Sequence, residues 1–485
     1  MASVLQVKLQ DMRWRDLILG SVLHFFLFTF QYFVFFYFIF VNSFYTLSLL
    51  MSFRFLFIRS RSIVDEEYEV MLQSEMYRPI SIIVPCYNEE KVIVSNLKSL
   101  LTLHYPEFEI IVVNDGSTDN TMQVLIDNFS LKKVSRPYQE FIHTKNVKGV
   151  YISLDYPNLV VVDKENGGKF DAVNAGINIS KYPMFCSIDS DSLLEEKSLL
   201  RISEVFLEDK EVVAAGGIVR VLNGCKVREG RVIEVHAPTK AVEVFQTIEY
   251  TRAFLMGRTT LGNLKALLLI SGAFGIFRKD LAIRINGYRK TVGEDMDFTV
   301  RLHRYCIENK IPFKIIFIPD PVCWTQVPDS WRSLIRQRDR WRRGLIDVLL
   351  YNFSMSFNPR YKTAGMVGFP YFILVEFLGP IIEFIGYVLI PVLWIFRLLN
   401  TQFAIIFFFV AILWGIFITI GSILMDNLLF VRYESLKDVF KLILFAFFEF
   451  VFYKELLAFV AFFATFRFRA RKWGHIPRKK MEKTL

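Results

Sequence analysis

From Leu17 to Phe53 the chain carries no Asp, Glu, Lys or Arg. The run is far longer than the apolar part of a signal peptide. It is long enough to cross a bilayer as one helix, with the surplus tilted or protruding. In hydrocarbon a backbone must satisfy its own hydrogen bonds, so a helix is the form open to it. We therefore expect an N-terminal transmembrane helix over 17–58. Arg54, Arg59 and Arg61 follow it and favour a cytoplasmic side for what comes next. Lys8, Arg13 and Arg15 precede it and weigh the other way.

The composition agrees with a membrane protein. Hydrophobic residues make up 53% of the 485 positions, with 50 phenylalanines, which excludes a disordered chain and an ordinary soluble one. Charged residues still reach 22%, so they must be concentrated in a soluble domain. The net charge of +10 points to cytoplasmic flanks beside anionic lipid, and no nucleic-acid partner is expected. Five cysteines without a C-x-x-C pair fit a reducing compartment rather than a disulfide framework or zinc site.

A second apolar region covers 363–466. Its first part, Thr363 to Leu399, is interrupted by Pro370, Glu376, Pro380 and Glu383, which predicts an interfacial or broken portion followed by one span. Leu398 to Met425 is uncharged and predicts another. Leu442 to Phe466 is long enough but carries Glu449, Lys454 and Glu455, so the region holds two to three spans. The remainder, 467–485, is a basic tail with eight Lys or Arg. Three spans would leave that tail outside, against the positive-inside rule. A re-entrant Leu442–Phe466 would remove the conflict.

Between these regions, 63–352 reads as a soluble domain. ISIIVP from Ile80, EIIVVND from Glu109, LVVVDK from Leu159 and MFCSID from Met184 are short, continuous and rich in β-branched residues. Such runs predict strands buried on both faces of a parallel sheet. Helically spaced segments follow the first two. The expected fold is α/β, an open, mostly parallel sheet inserted between the membrane segments.

Each of these strands runs into polar or acidic residues: Tyr87-Asn88-Glu89, Asp115-Gly116-Ser117, Lys164-Glu165 and Asp189-Ser190-Asp191. In an open parallel sheet such ends share one edge, where ligands bind. Asp119 and Asp127 are read as ordinary loop and cap acids. Asp189 and Asp191 form a D-x-D, which suits a hard divalent cation such as Mg2+ or Mn2+ holding phosphate oxygens. There is no P-loop and no Rossmann glycine motif. Gly167 and Gly168 precede Lys169 at an expected helix start, a setting for an anionic ligand. Ser271 to Gly275 is a second small-residue stretch, either a close-approach site or a tight turn. Gly293-Glu294-Asp295 opens a helical pattern. Gln337 to Trp341 lies in the Arg-rich run SWRSLIRQRDRWRRGL, which is either a basic helix on anionic lipid or a set of phosphate-binding arginines beside an aromatic platform.

The order YNEE, NDGSTDNT, NGGK, DSD, SGAFG, GED and QRDRW resembles membrane-bound family-2 glycosyltransferases of the processive type, which include cellulose, hyaluronan and poly-N-acetylglucosamine synthases. The resemblance covers about 80–344. It implies a GT-A fold, a nucleotide-sugar donor (a UDP-sugar), a divalent metal, Mg2+ or Mn2+, and inversion at the anomeric carbon. It assigns Tyr87, Glu89 and Asp115 to the uracil and ribose. Lys169 and Asp189 fall to nucleotide or donor-sugar contacts, Asp191 with Asp189 to the metal, and Asp295 to the catalytic base. Gln337 and Arg340 match donor-diphosphate contacts and Trp341 the acceptor sugar. Gly293 stands where cellulose synthases usually have Thr, which argues against cellulose. With a single base and Glu294 expected to point elsewhere, single displacement follows. The resemblance further implies a multi-pass protein of the plasma (inner) membrane with a cytoplasmic catalytic domain. Its partners would be a sugar-polymer or lipid acceptor, membrane lipids and accessory export subunits. Two alternatives remain: a single-sugar transferase acting on a lipid, and a non-catalytic export scaffold.

Overall fold

The four expected strand segments form the centre of the sheet in the computed structural model, which describes residues 2–62, 77–395 and 401–468. The expected domain start at 63–76, the 396–400 part of the second C-terminal span and all but the first two residues of the basic tail lie outside the described residues. Twelve strands run in chain order: β1 Ile80–Cys86, β2 Phe108–Asp115, β3 Leu131–Val134, β4 Val147–Ser153, β5 Leu159–Lys164, β6 Met184–Ser187, β7 Ser192–Leu194, β8 Val212–Val221, β9 Lys226–Arg228, β10 Arg231–Glu234, β11 Gly275–Arg278 and β12 Lys314–Thr325. Ten make one sheet in the order β3-β4-β5-β2-β1-β6-β11-β8-β12-β7, and β9 pairs with β10 in a separate hairpin. The contiguous β5-β2-β1-β6 block is parallel throughout. Every residue of β1 is buried, as is all of β2 after Phe108, which is why these strands lack polar alternation. The flanks are mixed: β3-β4-β5 and β6-β11-β8 pair antiparallel, while β12 lies parallel to β8.

Register sets the ligand edge. Cys86 lies opposite Asn114, and Asp115 opposite Lys164, so the ends of β1, β2 and β5 are level. Helices α2 (Ile93–Leu101), α3 (Thr121–Phe129) and α4 (Lys169–Ile179) follow β1, β2 and β5. Further along come α5 (Ser198–Glu208), α6 (Ala241–Thr251), α7 (Glu294–Glu308) and α8 (Trp331–Tyr351).

Three described helices are long and apolar enough to cross a membrane, over Phe28–Arg61, Ala364–Ile395 and Thr401–Phe430. The first is part of α1 (Ala2–Ser62), one unbroken helix as expected. The second, α9 (Ala364–Ile395), runs through Pro370 and Pro380 without breaking. It contains π turns over Ala364–Gly368 and Phe372–Phe377. A π turn changes the hydrogen-bond spacing, which is how a helix tolerates a locally missing amide donor. The third is α10 (Thr401–Phe430). A last helix, α11, covers 436–466 with a π turn at Glu449–Tyr453.

Charged pairs fasten these helices to the sheet domain. Arg59 reaches Glu204 at 2.8 Å and Asp320 at 3.2 Å. Arg220 on β8 forms a buried two-point pair with Asp426 on α10. The last helix touches the domain at both ends and in between. His236 contacts Asp438, Lys441 donates to the Pro238 carbonyl, Arg252 grips Glu449, Arg338 meets Tyr453, and Arg342 donates to Thr465. From Asp438 to Thr465 is about 40 Å of helix at 1.5 Å per residue. Helix α11 therefore runs along the domain for its whole length.

Candidate active site

One cleft of about 1500 Å³ lies at the carboxyl edge of the sheet, and the ten residues to which the resemblance assigns a role line it: Tyr87, Glu89, Asp115, Lys169, Asp189, Asp191, Asp295, Gln337, Arg340 and Trp341. They lie up to 254 residues apart in the chain, brought together by the level strand ends and by α7 and α8.

Asp115 ends β2 and is buried. Its carboxylate accepts from Lys164 Nζ at 2.7 Å, Gly167 N at 3.0 Å and Gly168 N at 2.7 Å. Lys164, fully buried, also pairs with Asp171 at 2.5 Å. The acid thus pins the Asn166-Gly167-Gly168 loop against the strand ends. Gly168, at φ +94°, takes a conformation that costs other residues dearly, and it caps α4. This geometry delivers Lys169 into the cleft, where Nζ meets Asp189 at 2.5 Å and Glu294 at 4.0 Å. Burial opposes the Lys169 charge. Asp189 and then Glu294 outweigh it and hold the ammonium above its ordinary pKa.

Asp295 sits in the first turn of α7. Its Oδ2 accepts from the Gly272 amide at 3.2 Å. A Cβ at position 272 would lie 3.0 Å from Lys169 Nζ and 3.7 Å from Asp295, so the small-residue stretch is a close-approach site. The sequence led us to expect Glu294 to point elsewhere; instead it lines the same cleft and faces Lys169. Burial pushes its pKa up to about 7, with Lys169 opposing and Asp295 adding to the rise. Being adjacent at a helix start, both acids reach the cleft because the first turn wraps around its wall.

Helix α8 supplies the opposite wall. Three of its arginines, Arg338, Arg342 and Arg343, are buried, whereas Arg332 and Arg336 are exposed. Arg338 lies 4.2 Å from the Trp341 ring centroid and is held by Glu249 at 2.7 Å. The indole, 43% exposed, has one cationic neighbour and an open surface. Arg342 donates to the Glu376 and Phe377 carbonyls, at the end of a π turn of α9. Gly293 and Gly344 face each other, and a Cβ on Gly293 would lie 3.0 Å from the Gly344 carbonyl oxygen.

Asp119 and Asp127 are bland, as read from sequence. Asp119 accepts from the Thr121 amide at 2.9 Å at the start of α3, and Asp127 from Gln123 within that helix. The residues that sequence reasoning missed are Glu249, Arg258 and Arg338. None ends a strand, and only their shared wall betrays them.

For a divalent cation the chemistry of the donors fits. Asp189 and Asp191 offer only hard oxygens, and Asp191 is buried at the cleft wall. Among the described residues no three His, Cys, Asp or Glu side chains form a cage.

Residues 81–281 match the family described as glycosyl transferase family 2, and residues 184–420 match glycosyl transferase family group 2. The chain belongs to glycosyltransferase family 2. Together the matches run from β1 into α10 and take in the ten-stranded sheet. The poly-beta-1,6-N-acetyl-D-glucosamine synthase of Staphylococcus epidermidis is 28% identical over 286 residues, 59% of this chain and 58% of that protein. That of Staphylococcus aureus is 28% identical over 297 residues, 61% and 60%. The chain thus spans about three fifths of the length of the curated relatives it matches. A mannosyltransferase from Pyrobaculum calidifontis, solved with GDP-Man and Mn2+, aligns over 86% of this chain and 99% of that one, at 15% identity and a TM-score of 0.47. This family-2 glycosyltransferase has its acids and its Q-x-x-R-W residues in one cleft.

Proposed function

We propose that the protein transfers a sugar from a UDP-sugar to the end of a growing polysaccharide, with inversion. The observation that carries this reading is the single cleft. It brings the acids of the strand ends, the half-buried Asp295–Gly272 contact and the exposed Trp341 face together. The similarity to poly-beta-1,6-N-acetyl-D-glucosamine synthases favours an N-acetylhexosamine polymer. Tyr87, Glu89 and Asp115 lie at the nucleotide end, with Asp115 acting through the loop it pins. Lys169, Asp189, Gln337 and Arg340 surround the donor diphosphate and sugar. Asp191, with Asp189, would hold Mg2+ or Mn2+, which when bound neutralises diphosphate charge.

Asp295 accepts the proton of the acceptor hydroxyl as its oxygen bonds to the anomeric carbon. The bond from that carbon to the diphosphate breaks, and UDP leaves with the electron pair and the negative charge. Arg340 offers the departing diphosphate a fixed cation. The acceptor sugar stacks its apolar face on Trp341.

For orientation, we take the chain to cross the membrane at Phe28–Arg61, Ala364–Ile395 and Thr401–Phe430. Helix α11 then stays on the domain's side. This removes the conflict with the positive-inside rule and supports a cytoplasmic domain and C-terminal end. Purified membranes incubated with a panel of UDP-sugars, with and without EDTA, test the function. UDP release with one N-acetylhexosamine donor, abolished by EDTA and accompanied by long product, is the expected result. A product of one sugar on lipid would replace the polymer reading.

A further inference from the structure

The arginines on the cleft wall have defined partners, with one exception. Arg338 is held by Glu249, and Arg342 by main-chain carbonyls of α9. Arg258 makes no hydrogen bond or ion pair with any described residue. Its guanidinium lies over the Phe254 ring at 3.7 Å. Both residues belong to the π-helical segment Arg252–Arg258 that continues α6. Such segments widen the turn, and here the turn brings Ala253, Phe254 and Arg258 to the cleft wall together. A half-buried guanidinium without an acceptor is costly, and a ligand oxygen would relieve that cost.

The surroundings say which ligand oxygen. The carboxylates whose charge reaches Arg258 are Asp295 and Glu376. Burial lowers its pKa to about 10, so it remains a cation. Asp295 is the base, and Glu376 lies on α9 at the membrane end of the cleft. Arg258 thus stands where an acceptor sugar must pass between base and membrane. A uronate there would face two carboxylates, and a hydroxyl accepts weakly. A neutral amide oxygen accepts well from a guanidinium and brings no third negative charge.

We propose that Arg258 is a specificity-determining residue that donates to the acetamido carbonyl oxygen of the acceptor sugar while the attacking hydroxyl faces Asp295. This rests on the polymer reading above. The test uses the full chain in detergent. Binding of β-1,6-linked N-acetylglucosamine oligomers is compared with that of β-1,6-linked glucose oligomers of equal length. UDP binding and UDP release from a UDP-sugar panel are measured alongside. Wild type should prefer the N-acetylated oligomer. Arg258→Met should weaken that oligomer by about tenfold or more, the value of a charge-assisted hydrogen bond, and leave the glucose oligomer and UDP binding unchanged. Arg258→Lys should recover part of the loss. A preference retained in Arg258→Met overturns the proposal. So does a wild type without preference, or a parallel loss of UDP binding. If wild type releases UDP from no donor but loses its oligomer preference in Arg258→Met, the synthase reading falls and the subsite stands.

Discussion

Asp295 and Glu294 are neighbours with different surroundings, and the difference is measurable. Asp295 keeps a backbone donor and a free approach from the cleft, as a base needs. We expect Asp295→Asn to lower transfer by roughly 10² to 10⁴ while UDP binding stays near normal. Turnover close to wild type in folded Asp295→Asn protein would remove it as the base. Glu294 is buried, and its pKa rises from 4.5 to about 7. Between those values the folded protein holds a proton that the unfolded chain has released. Stability from this group is therefore full below about 4.5 and declines as pH rises through about 7. Glu294→Gln should flatten that decline, so its melting temperature relative to wild type should be higher at pH 8 than at pH 5. An identical pH dependence in both proteins would count against the shift. Gly293 carries a third expectation. Its φ of −112° suits any residue, so its need for glycine is steric. Gly293→Thr would press a Cβ against the Gly344 backbone and should cost about 1–3 kcal/mol, read as a lower denaturation midpoint. From sequence the position was visible only as a departure from the cellulose synthases. The reason lies 51 residues away, where no local pattern could point.

At the scale of elements, what the sequence displayed depended on how each element is buried. β1, β2, β5 and β6 are covered on both faces and read as continuous apolar runs, so their positions and shared edge were legible. The edge hairpin β3-β4 is half exposed and mixed in character, with a burial pattern from which no run emerges. Asp115, Asp189 and Asp191 were legible because they end or follow buried strands, and Asp295 because it opens a helical pattern. Arg258 and Glu249 were not, because they face the cleft from helices whose periodicity only marks a packed side. Pro370 and Pro380 suggested a broken segment. Proline removes a donor, but π turns in α9 absorb the change. Helix α11 shows the same ambiguity in reverse: its apolar content suggests a span, while its polar residues meet the domain from Asp438 to Thr465. Arg467, just beyond it, should then lie on the domain's side. An engineered Arg467→Cys should resist an impermeant maleimide in intact cells and react in inside-out vesicles. Labelling from outside intact cells would make α11 a fourth crossing.

For the whole molecule, the question is where a growing product goes. The cleft does not end at Trp341; its wall continues through Arg342 and Glu376 to Pro380 on α9 and to Leu457 and Ala461 on α11. Polar groups on such helices face a protein interior or a wet path more often than lipid. Arg342 joins the Q-x-x-R-W helix to that path by donating to two α9 carbonyls and to Thr465. A chain stacked on Trp341 therefore has one continuous wall leading towards the membrane, and each added sugar would push it along that wall. Sealed vesicles with the domain outward, supplied with the UDP-sugar that supports turnover, should accumulate polymer inside, protected from an added glycosidase. Trp341→Ala should shorten or abolish the protected polymer and spare UDP binding, since the role proposed for the indole is to hold the acceptor rather than the nucleotide. Polymer that stays outside and digestible would mean that the wall guides the product sideways along the membrane surface, and that synthesis and crossing are separate events.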